Sequence, residues 1–219
     1  MLFKDVIAQQ ELKEQLIKTI KSNKVSHAQL FCGQEGSGHF AMAVAYTQYL
    51  LCQNRAEDSC GTCSSCVKIQ QLAHPDVHFS FPVHLSKTNK ITQSDDVIKE
   101  FREMISQSPY IGISHWNEFL GNQNKQGIIA VKESEAIIKK LSLKAFEGSY
   151  KILIMWLPEL MNKEAANKLL KLIEEPPKKT IFLLVADSAD KIIDTILSRT
   201  QKVNFLNLKA EEIKMNLIS

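Results

Sequence analysis

The octapeptide Gly33-Gln34-Glu35-Gly36-Ser37-Gly38-His39-Phe40 has the glycine spacing of a phosphate-binding loop. In G-x-x-x-x-G-K-[ST], backbone N–H groups surround the phosphates, the Lys reaches the outer phosphates and the hydroxyl binds Mg²⁺. Here His39 takes the position of the Lys, and Phe40 takes that of the hydroxyl residue. A largely neutral imidazole is a poor substitute for an ammonium group, and a phenyl ring cannot bind Mg²⁺. The sequence therefore predicts a nucleotide site that does not work.

The segments on both sides of this loop are those of a strand–loop–helix unit. Residues 28–32 form a short apolar run, and residues 40–46 continue as an apolar helix. From the residues alone an alternative stays open, in which Gly33, Gly36 and Gly38 only build a tight turn that binds nothing.

A second part of an ATPase site is also missing. Residues 151–156 are a nearly continuous apolar run, typical of a strand buried on both faces of a parallel sheet. After this strand an ATPase places an acidic pair, of which one residue holds Mg²⁺ and one polarises the attacking water. Trp156 and Leu157 stand there instead. Because two separate parts of one catalytic apparatus are absent together, each loss supports the interpretation of the other.

The remaining pattern alternates strands with helices, which predicts an α/β fold with a parallel sheet flanked by helices. Helices are expected at 5–20, 95–106, 132–143 and 191–197, and after Asn162 as N-cap through 175; further strands are expected at 77–81, 128–131, 180–186 and 202–205. Residues 86–127 are polar and are interpreted as a long insertion or connection.

Four of the five cysteines lie close together in the sequence, at Cys52, Cys60, Cys63 and Cys66. Four thiolates satisfy tetrahedral zinc, and each C-x2-C lets two sulfurs from one turn reach the same ion. A structural zinc site is predicted, with disulfides or a redox pair as the alternative. Cys32 stands apart and is interpreted as a small buried residue.

Composition sets wide bounds on the function. The 219 residues are 44% hydrophobic and 23% charged, and the net charge of +3 is too small to indicate nucleic acid binding by itself. No apolar run approaches the ~20 residues of a membrane span, and the start of the chain lacks the pattern of a signal peptide. We therefore expect a cytoplasmic protein with no membrane partner.

Several stretches together resemble the AAA+ family of bacterial clamp-loader subunits of DNA polymerase III. They are Ser26-His27-Ala28-Gln29-Leu30-Phe31, the cysteine cluster, His74-Pro75-Asp76, residues 165–177 (AANKLLKLIEEPP), and Thr195-Ile196-Leu197-Ser198-Arg199-Thr200. The resemblance covers nearly the whole chain apart from 86–127. It implies an AAA+ P-loop-type fold with an inserted zinc module. The chain departs from the ATPase subunits at the phosphate loop and at the acidic pair, so it is most similar to the members that do not hydrolyse ATP.

The resemblance also implies roles for particular residues. Ser198-Arg199-Thr200 matches the family's Ser-Arg-Cys-type motif, whose Arg reaches the γ-phosphate of ATP bound by the neighbouring subunit, and Thr200 replaces the frequent Cys. Without the surrounding motif, Arg199 would be interpreted as an exposed residue after a helix. The implied partners are the gamma or tau ATPase subunits, the delta subunit, and, within the assembly, primer-template DNA and indirectly the sliding clamp.

The same resemblance implies a domain division. Residues 1–206 are expected to form the AAA+ domain, with the zinc module at about 52–66 and the insertion at about 86–127. Residues 207–219 are expected to begin a helical lid, and a C-terminal collar domain is expected to lie outside this chain. Zinc is the expected cofactor, and no ATP is expected in this chain. Two other hypotheses stay open: an active ATPase with an unusual loop, and a zinc-containing DNA-binding module.

Overall fold

The computed structural model describes residues 1–121 and 126–218, and a parallel five-stranded sheet lies at the centre of this part of the chain. The strands are β1 (Ala28–Cys32), β2 (Val77–Ser80), β3 (Lys151–Trp156), β4 (Thr180–Ala186) and β5 (Gln201–Asn204), in the spatial order β2-β3-β4-β1-β5. All four strand pairs are parallel. The predicted α/β fold is confirmed, and the strands predicted at 28–32, 151–156 and 180–186 have those bounds.

Helices cover both faces of the sheet. They are α1 (Gln10–Lys21), α2 (His39–Leu51), α3 (Ser64–Gln70), α4 (Ile98–Gln107), α5 (Ile113–Phe119), α6 (Val131–Ser142), α7 (Lys163–Glu174), α8 (Asp194–Leu197) and α9 (Ala210–Ile218). Short 3₁₀ turns lie at Phe3–Asp5, Ser94–Val97, Pro158–Leu160 and Ala189–Lys191. The cap predicted at Asn162 is confirmed, because its side chain accepts a hydrogen bond of 2.8 Å from the N–H of Ala165.

The two faces of the sheet carry separate apolar cores, which explains why the central strands read as continuous apolar runs. In β3, Ile152, Ile154 and Trp156 belong to the core that contains α2, whereas Leu153 and Met155 belong to the core that contains α6 and α7. Burying one such side chain stabilises a fold by ~1.5–3 kcal/mol. Every residue of α2 is buried, so the helix that follows the phosphate-type loop is fixed inside the domain.

Several predicted elements differ from the structure in type or extent. The helix predicted at 95–106 begins only at Ile98, after a 3₁₀ turn, and the helix predicted at 40–46 extends over His39–Leu51. The strand predicted at 128–131 is wrong: Ile128 and Ile129 each make one isolated bridge, to Val83 and Met161, before α6 begins at Val131. The helix predicted at 5–20 begins only at Gln10, because the backbone turns through positive φ just before it. The helix predicted at 191–197 is reduced to Asp194–Leu197.

The segment 86–127, whose residues 122–125 lie outside the described residues, is not detached from the domain. It contributes α4 and α5, and it buries Phe101 and Trp116. The ring of Phe101 stacks on Phe81 at 3.9 Å between centroids, and Trp116 meets both rings edge-on. The insertion therefore forms part of the core on the α2 face. In the part of the chain that the structure describes, no helix is long and apolar enough to cross a membrane.

Candidate functional site

The phosphate-type loop keeps its backbone shape between β1 and α2. Gly38 has φ of 84°, a conformation that glycine adopts without steric cost. At Gly33, a Cβ atom would lie 2.4 Å from Ser37 Oγ and 2.6 Å from Phe205 Cβ, so the loop packs too tightly there for any side chain. Gly33 and Gly38 are therefore required by the packing and the backbone conformation of this tight turn.

His39 is only 2% exposed, and both of its ring nitrogens are engaged by the protein itself. Its Nε2 lies 3.0 Å from Asp187 Oδ1, and its Nδ1 lies 3.1 Å from Ser37 Oγ. In a neutral imidazole, Nε2 donates to the carboxylate and Nδ1 then accepts from the hydroxyl. The residue at the lysine position is thus committed to internal partners and leaves no ring nitrogen for a phosphate.

A second carboxylate, that of Glu159, contacts the backbone of Asp187. Glu159 Oε1 accepts hydrogen bonds from the N–H groups of Asp187, at 2.8 Å, and of Ser188, at 3.2 Å. Burial raises the pKa of Glu159 above its usual value. Glu159 and Asp187 follow β3 and β4, so both carboxylates lie at the carboxyl edge of the sheet, where a ligand of such folds normally binds.

The hydroxyl and acidic positions of an ATPase are filled by aromatic packing. The rings of Phe40 and Trp156 lie 6.4 Å apart between centroids, and both lie near Phe101, at 5.8 and 6.0 Å. Both side chains are fully buried in the core. The side chains of Phe40 and Trp156 carry no oxygen, so neither can bind Mg²⁺.

Two other segments of the chain, the insertion and the N-terminal segment, lie against the phosphate-type loop. The ring of Tyr110 lies 3.0 Å from the point where a Gly38 Cβ would be, and its hydroxyl accepts a hydrogen bond of 2.7 Å from the N–H of Ile7. The Gln9 amide donates to the carbonyl oxygens of Ser37, at 3.3 Å, and of Leu206, at 2.6 Å. The insertion and the N-terminal segment therefore meet directly over the loop.

Arg199 lies in the turn between α8 and β5, where its side chain is 36% exposed. Its Nε donates to Glu174 Oε1 at 2.5 Å, and its Nη1 donates to the Thr195 carbonyl oxygen at 2.8 Å and to Ser198 Oγ at 3.1 Å. The partners of Arg199 are thus different from those of the loop, and the structure does not join the two predicted sites into one.

The four cysteines that were predicted to bind metal lie together. The sulfur atoms of Cys52, Cys60, Cys63 and Cys66 all lie within 4.8 Å of one another, and all four thiols are free. The Sγ atom of Cys60 is 3.6 Å from that of Cys52 and 3.9 Å from that of Cys66. Tetrahedral zinc with Zn–S bonds of ~2.3 Å places its sulfurs ~3.8 Å apart. The cluster can therefore hold a metal ion, and its geometry fits zinc.

The backbone donates hydrogen bonds to two of the four sulfur atoms, whereas burial raises the pKa of the Cys52 and Cys66 thiols. The N–H of Cys60 donates to Cys52 Sγ, and that of Cys63 donates to Cys60 Sγ, each at 3.3 Å. Hydrogen bonds from the N–H groups of Thr62 and Cys63 lower the pKa of the Cys60 thiol to about 6. The thiolate is the form that binds metal.

The family can be stated once this geometry is known. The model of the family described as "DNA polymerase III, delta subunit" matches residues 8–209. The chain belongs to this family. It is 26% identical over 203 residues to DNA polymerase III subunit delta' of Bacillus subtilis, a match that covers 93% of this chain and 49% of the relative. It is 29% identical over 199 residues to the same subunit of Haemophilus influenzae, covering 91% and 48%.

Another relative carries a different subunit name. DNA polymerase III subunit tau of Bacillus subtilis is 26% identical over 219 residues, covering 99% of this chain and 31% of the relative. The chain spans about half the length of the delta' relatives that it matches. Among solved structures, the RuvB Holliday junction branch migration motor of Thermotoga maritima aligns with a TM-score of 0.51 at 13% identity, covering 98% of this chain and 51% of RuvB. This likeness agrees with the predicted AAA+ P-loop-type fold.

The structure adds members of the site that the sequence reading missed. Asp187 and Glu159 close the loop region, and Glu174 holds Arg199. A signal was present for the first two, because each follows a strand of a parallel sheet, and the carboxyl ends of such strands lie at one edge. Ser37 gave no such signal, since its contact with His39 depends on the local turn.

Proposed function

We propose that this chain belongs to a subunit of the DNA polymerase III clamp loader that does not hydrolyse ATP and acts as a stator, supplying Arg199 to ATP held by the neighbouring ATPase subunit. The observation that carries the proposal is that His39, at the lysine position of the phosphate-type loop, is bonded to Ser37 and Asp187, while Arg199 stays exposed. A subunit that binds no ATP in its own loop can still contribute a residue to the ATP site of its neighbour. Membership of a family whose relatives are named delta' and tau supports this role.

The chemistry of the proposed contact suits arginine. Its guanidinium is planar, always charged and able to bind two oxygens, so it can stabilise the charge that spreads over the γ-phosphate. Arginine fingers contribute ~10³–10⁵ in rate in phosphoryl-transfer enzymes. In this proposal Ser198 accepts a hydrogen bond from Nη1 until the neighbour's phosphate arrives.

The proposed assembly contains the gamma or tau ATPase subunits, the delta subunit, primer-template DNA and, indirectly, the sliding clamp. Residues 1–206 form the AAA+ domain in this proposal, and residues 207–219 begin a helical lid. Cys52, Cys60, Cys63 and Cys66 hold a structural zinc ion, which cross-links the loop between α2 and α3 and, with four sulfur ligands, offers no open position for catalysis.

The test uses the full-length subunit, reconstituted into the clamp loader with either Arg199 or Arg199→Ala. Hydrolysis at the ATP site that adjoins this subunit should fall by ~10³-fold, the lower bound for an arginine finger. Arg55→Ala is the matched control, because Arg55 is another exposed arginine and lies in the cysteine-rich loop. Its rate should equal that of the native subunit. The measurement is single-turnover ATP hydrolysis in the presence of primed DNA.

A second set of measurements tests the two other hypotheses, an active ATPase and a DNA-binding module. The isolated full-length subunit should show no binding of Mg-ATP by calorimetry, because its loop is closed. Tight Mg-ATP binding would instead favour an active ATPase. A salt-dependent affinity of the isolated subunit for DNA, with about one unit of log-log slope per phosphate contact, would favour a DNA-binding module. An unchanged rate with Arg199→Ala would overturn the arginine-finger role.

A further inference from the structure

Glu174 is the acidic residue that engages the guanidinium of Arg199. The Nε atom of Arg199 donates to Glu174 Oε1 at 2.5 Å, and Nη2 forms an ion pair with the same oxygen. Hydrogen bonds from guanidinium to carboxylate are among the stronger and more directional contacts that proteins make. The pair joins the C-terminal end of α7 to the turn after α8, two segments that lie 25 residues apart in the sequence.

The position of Glu174 is set by its surroundings. Glu174 is the last residue of α7, Ile173 beside it is buried, and Pro176 and Pro177 prevent the helix from continuing. The carbonyl oxygen of Ile173 lies 3.1 Å from His27 Nε2 at the start of β1. The helix end is therefore fixed to the sheet, and the carboxylate of Glu174 extends from a rigid base.

Local energetics do not favour a carboxylate at this place. The C-terminal end of a helix carries partial negative charge, so an acidic side chain there is destabilising unless it has a cationic partner. Glu174 is 42% exposed, and an exposed ion pair contributes little to stability because solvent and salt screen it. Stability alone therefore gives a weak reason for the pair, and orientation of the arginine gives a better one.

The donors of Arg199 divide into two edges. Nε and Nη2 face Glu174, whereas the N–H groups of Nη1 bond to the Thr195 carbonyl oxygen and the Ser198 hydroxyl, which are exposed acceptors. A guanidinium has five N–H donors. An incoming phosphate can replace the two exposed acceptors while the contact of Nε with Glu174 persists.

We infer that Glu174 is a positioning residue for Arg199: its carboxylate holds the Nε edge of the guanidinium so that the Nη groups are oriented before the neighbour's phosphate arrives. This inference rests on the proposed arginine-finger function. An unrestrained arginine side chain has many rotamers, and fixing it beforehand removes that entropy cost from the transition state.

The experiment uses the reconstituted clamp loader with full-length subunit carrying Glu174→Gln, which keeps the size of the side chain and removes its charge. The kcat of the adjoining ATP site should fall about tenfold, with the KM for ATP unchanged, because orientation acts on the transition state. Glu175→Gln is the matched control, since it makes the same change one residue further at an exposed position. Glu174→Asp should restore part of the rate.

A double-mutant cycle separates positioning from a general structural effect. In the Arg199→Ala background, Glu174→Gln should cause no further loss, since a positioning residue acts only through its partner. An equal further loss in that background would overturn the inference and assign Glu174 a structural role. A native rate with Glu174→Gln, together with a reduced rate with Arg199→Ala, would overturn the inference and leave the arginine finger standing.

A readout in the free full-length subunit tests the contact itself. With ¹⁵N-arginine labelling, the Nε–H resonance of Arg199, assigned by its absence in Arg199→Ala, should shift and exchange faster with water in Glu174→Gln but not in Glu175→Gln. An unchanged resonance would overturn the inference. A shifted resonance combined with no rate change in Arg199→Ala would reject both the finger and the positioning role.

Discussion

His39 shows how a single replacement can be stabilised by its neighbours. A lysine at this position of a phosphate loop requires a phosphate as its counter-ion, whereas the imidazole of His39 finds both partners, Ser37 and Asp187, inside the chain. Phe40 likewise replaces a metal-binding hydroxyl by packing against Phe101 and Trp156. The two positions therefore contribute to the stability of the domain, so restoring the ATPase residues there has a structural cost.

The first prediction concerns these two residues. The double variant His39→Lys/Phe40→Thr should not bind Mg-ATP, because Trp156 still occupies the position of an acidic residue and Tyr110 still lies over Gly38. It should also lose ~3 kcal/mol or more in free energy of unfolding, since it removes a buried ring and breaks the His39 contacts. Urea unfolding and calorimetric titration with Mg-ATP measure the two effects.

Phe146→Thr provides the control for the packing effect. Phe146 is 81% exposed, so the same change of side chain there should alter the free energy of unfolding by less than ~0.5 kcal/mol. Millimolar or tighter Mg-ATP binding by the double variant would show that the loop needs only its two lost side chains, and that the internal contacts do not close it.

At the scale of elements, the sequence predicted the long, strongly patterned segments well. The three central strands were predicted with their observed bounds, because burial on both faces gives uninterrupted apolar runs. The helices α3 and α5 were missed, since seven residues contain too few turns for a periodic pattern. The strand expected at 128–131 is wrong because Ile128 and Ile129 bridge to different segments, at Val83 and Met161, and α6 begins at Val131.

The candidate site, like the fold, could be predicted from the sequence only in part. The absence of lysine, hydroxyl and acidic residues at the positions that an ATPase would use could be seen from the sequence, and so could the four cysteines, whose clustering the structure confirms. The contacts that close the loop could not, because His39 meets Asp187 across 148 positions of sequence. Tyr110 could not be placed over Gly38 either, since nothing in a polar insertion indicates where it folds back.

The cysteine-rich loop is tied to the N-terminal segment. The Asp58 carboxylate accepts hydrogen bonds from the N–H groups of Phe3, at 3.1 Å, and Lys4, at 3.0 Å, and the terminal ammonium group of Met1 donates to Gln48 Oε1 at 2.8 Å. The N-terminal segment continues to Gln9, which bonds to the phosphate-type loop. An ion that fixes the cysteines should therefore also restrain this segment.

The second prediction follows from these contacts. Removing zinc from the zinc-loaded protein with a chelator should lower the melting temperature and speed amide exchange at Phe3 and Lys4, because metal binding is coupled to local folding. Amides of β3 and β4 should change little. Hydrogen exchange by mass spectrometry, with zinc content measured in parallel, gives the answer.

Two cysteine variants serve as controls for zinc removal. Cys60→Ser should reproduce the effect of the chelator, whereas Cys32→Ser should retain zinc, since Cys32 lies in β1 outside the cluster. Unchanged exchange in the N-terminal segment after complete loss of zinc would show that the two parts are not coupled.

At the scale of the whole molecule, the insertion, the sheet and the N-terminal segment meet at the closed loop. Tyr110 from the insertion bonds to Ile7, and the aromatic cluster of Phe81, Phe101 and Trp116 continues to Trp156 at the end of β3. A contiguous core of this kind is expected to unfold as one cooperative unit. The described part of the insertion should then have no separate stability.

The last prediction uses the two tryptophans of the chain. Trp116 lies in the insertion, and Trp156 lies in β3 of the sheet. Trp156→Phe leaves Trp116 as a fluorescent probe of the insertion, and Trp116→Phe leaves Trp156 as a probe of the sheet. In each variant the fluorescence transition in urea should coincide with the loss of helix measured by far-UV circular dichroism, because coincident probes are the mark of two-state unfolding. Because both transitions are measured in the same variant, the different effects of the two substitutions on stability do not affect the comparison. A fluorescence transition of Trp116 at lower urea than the circular dichroism transition would show that the insertion opens first, and it would make the insertion a separable cover over the closed loop.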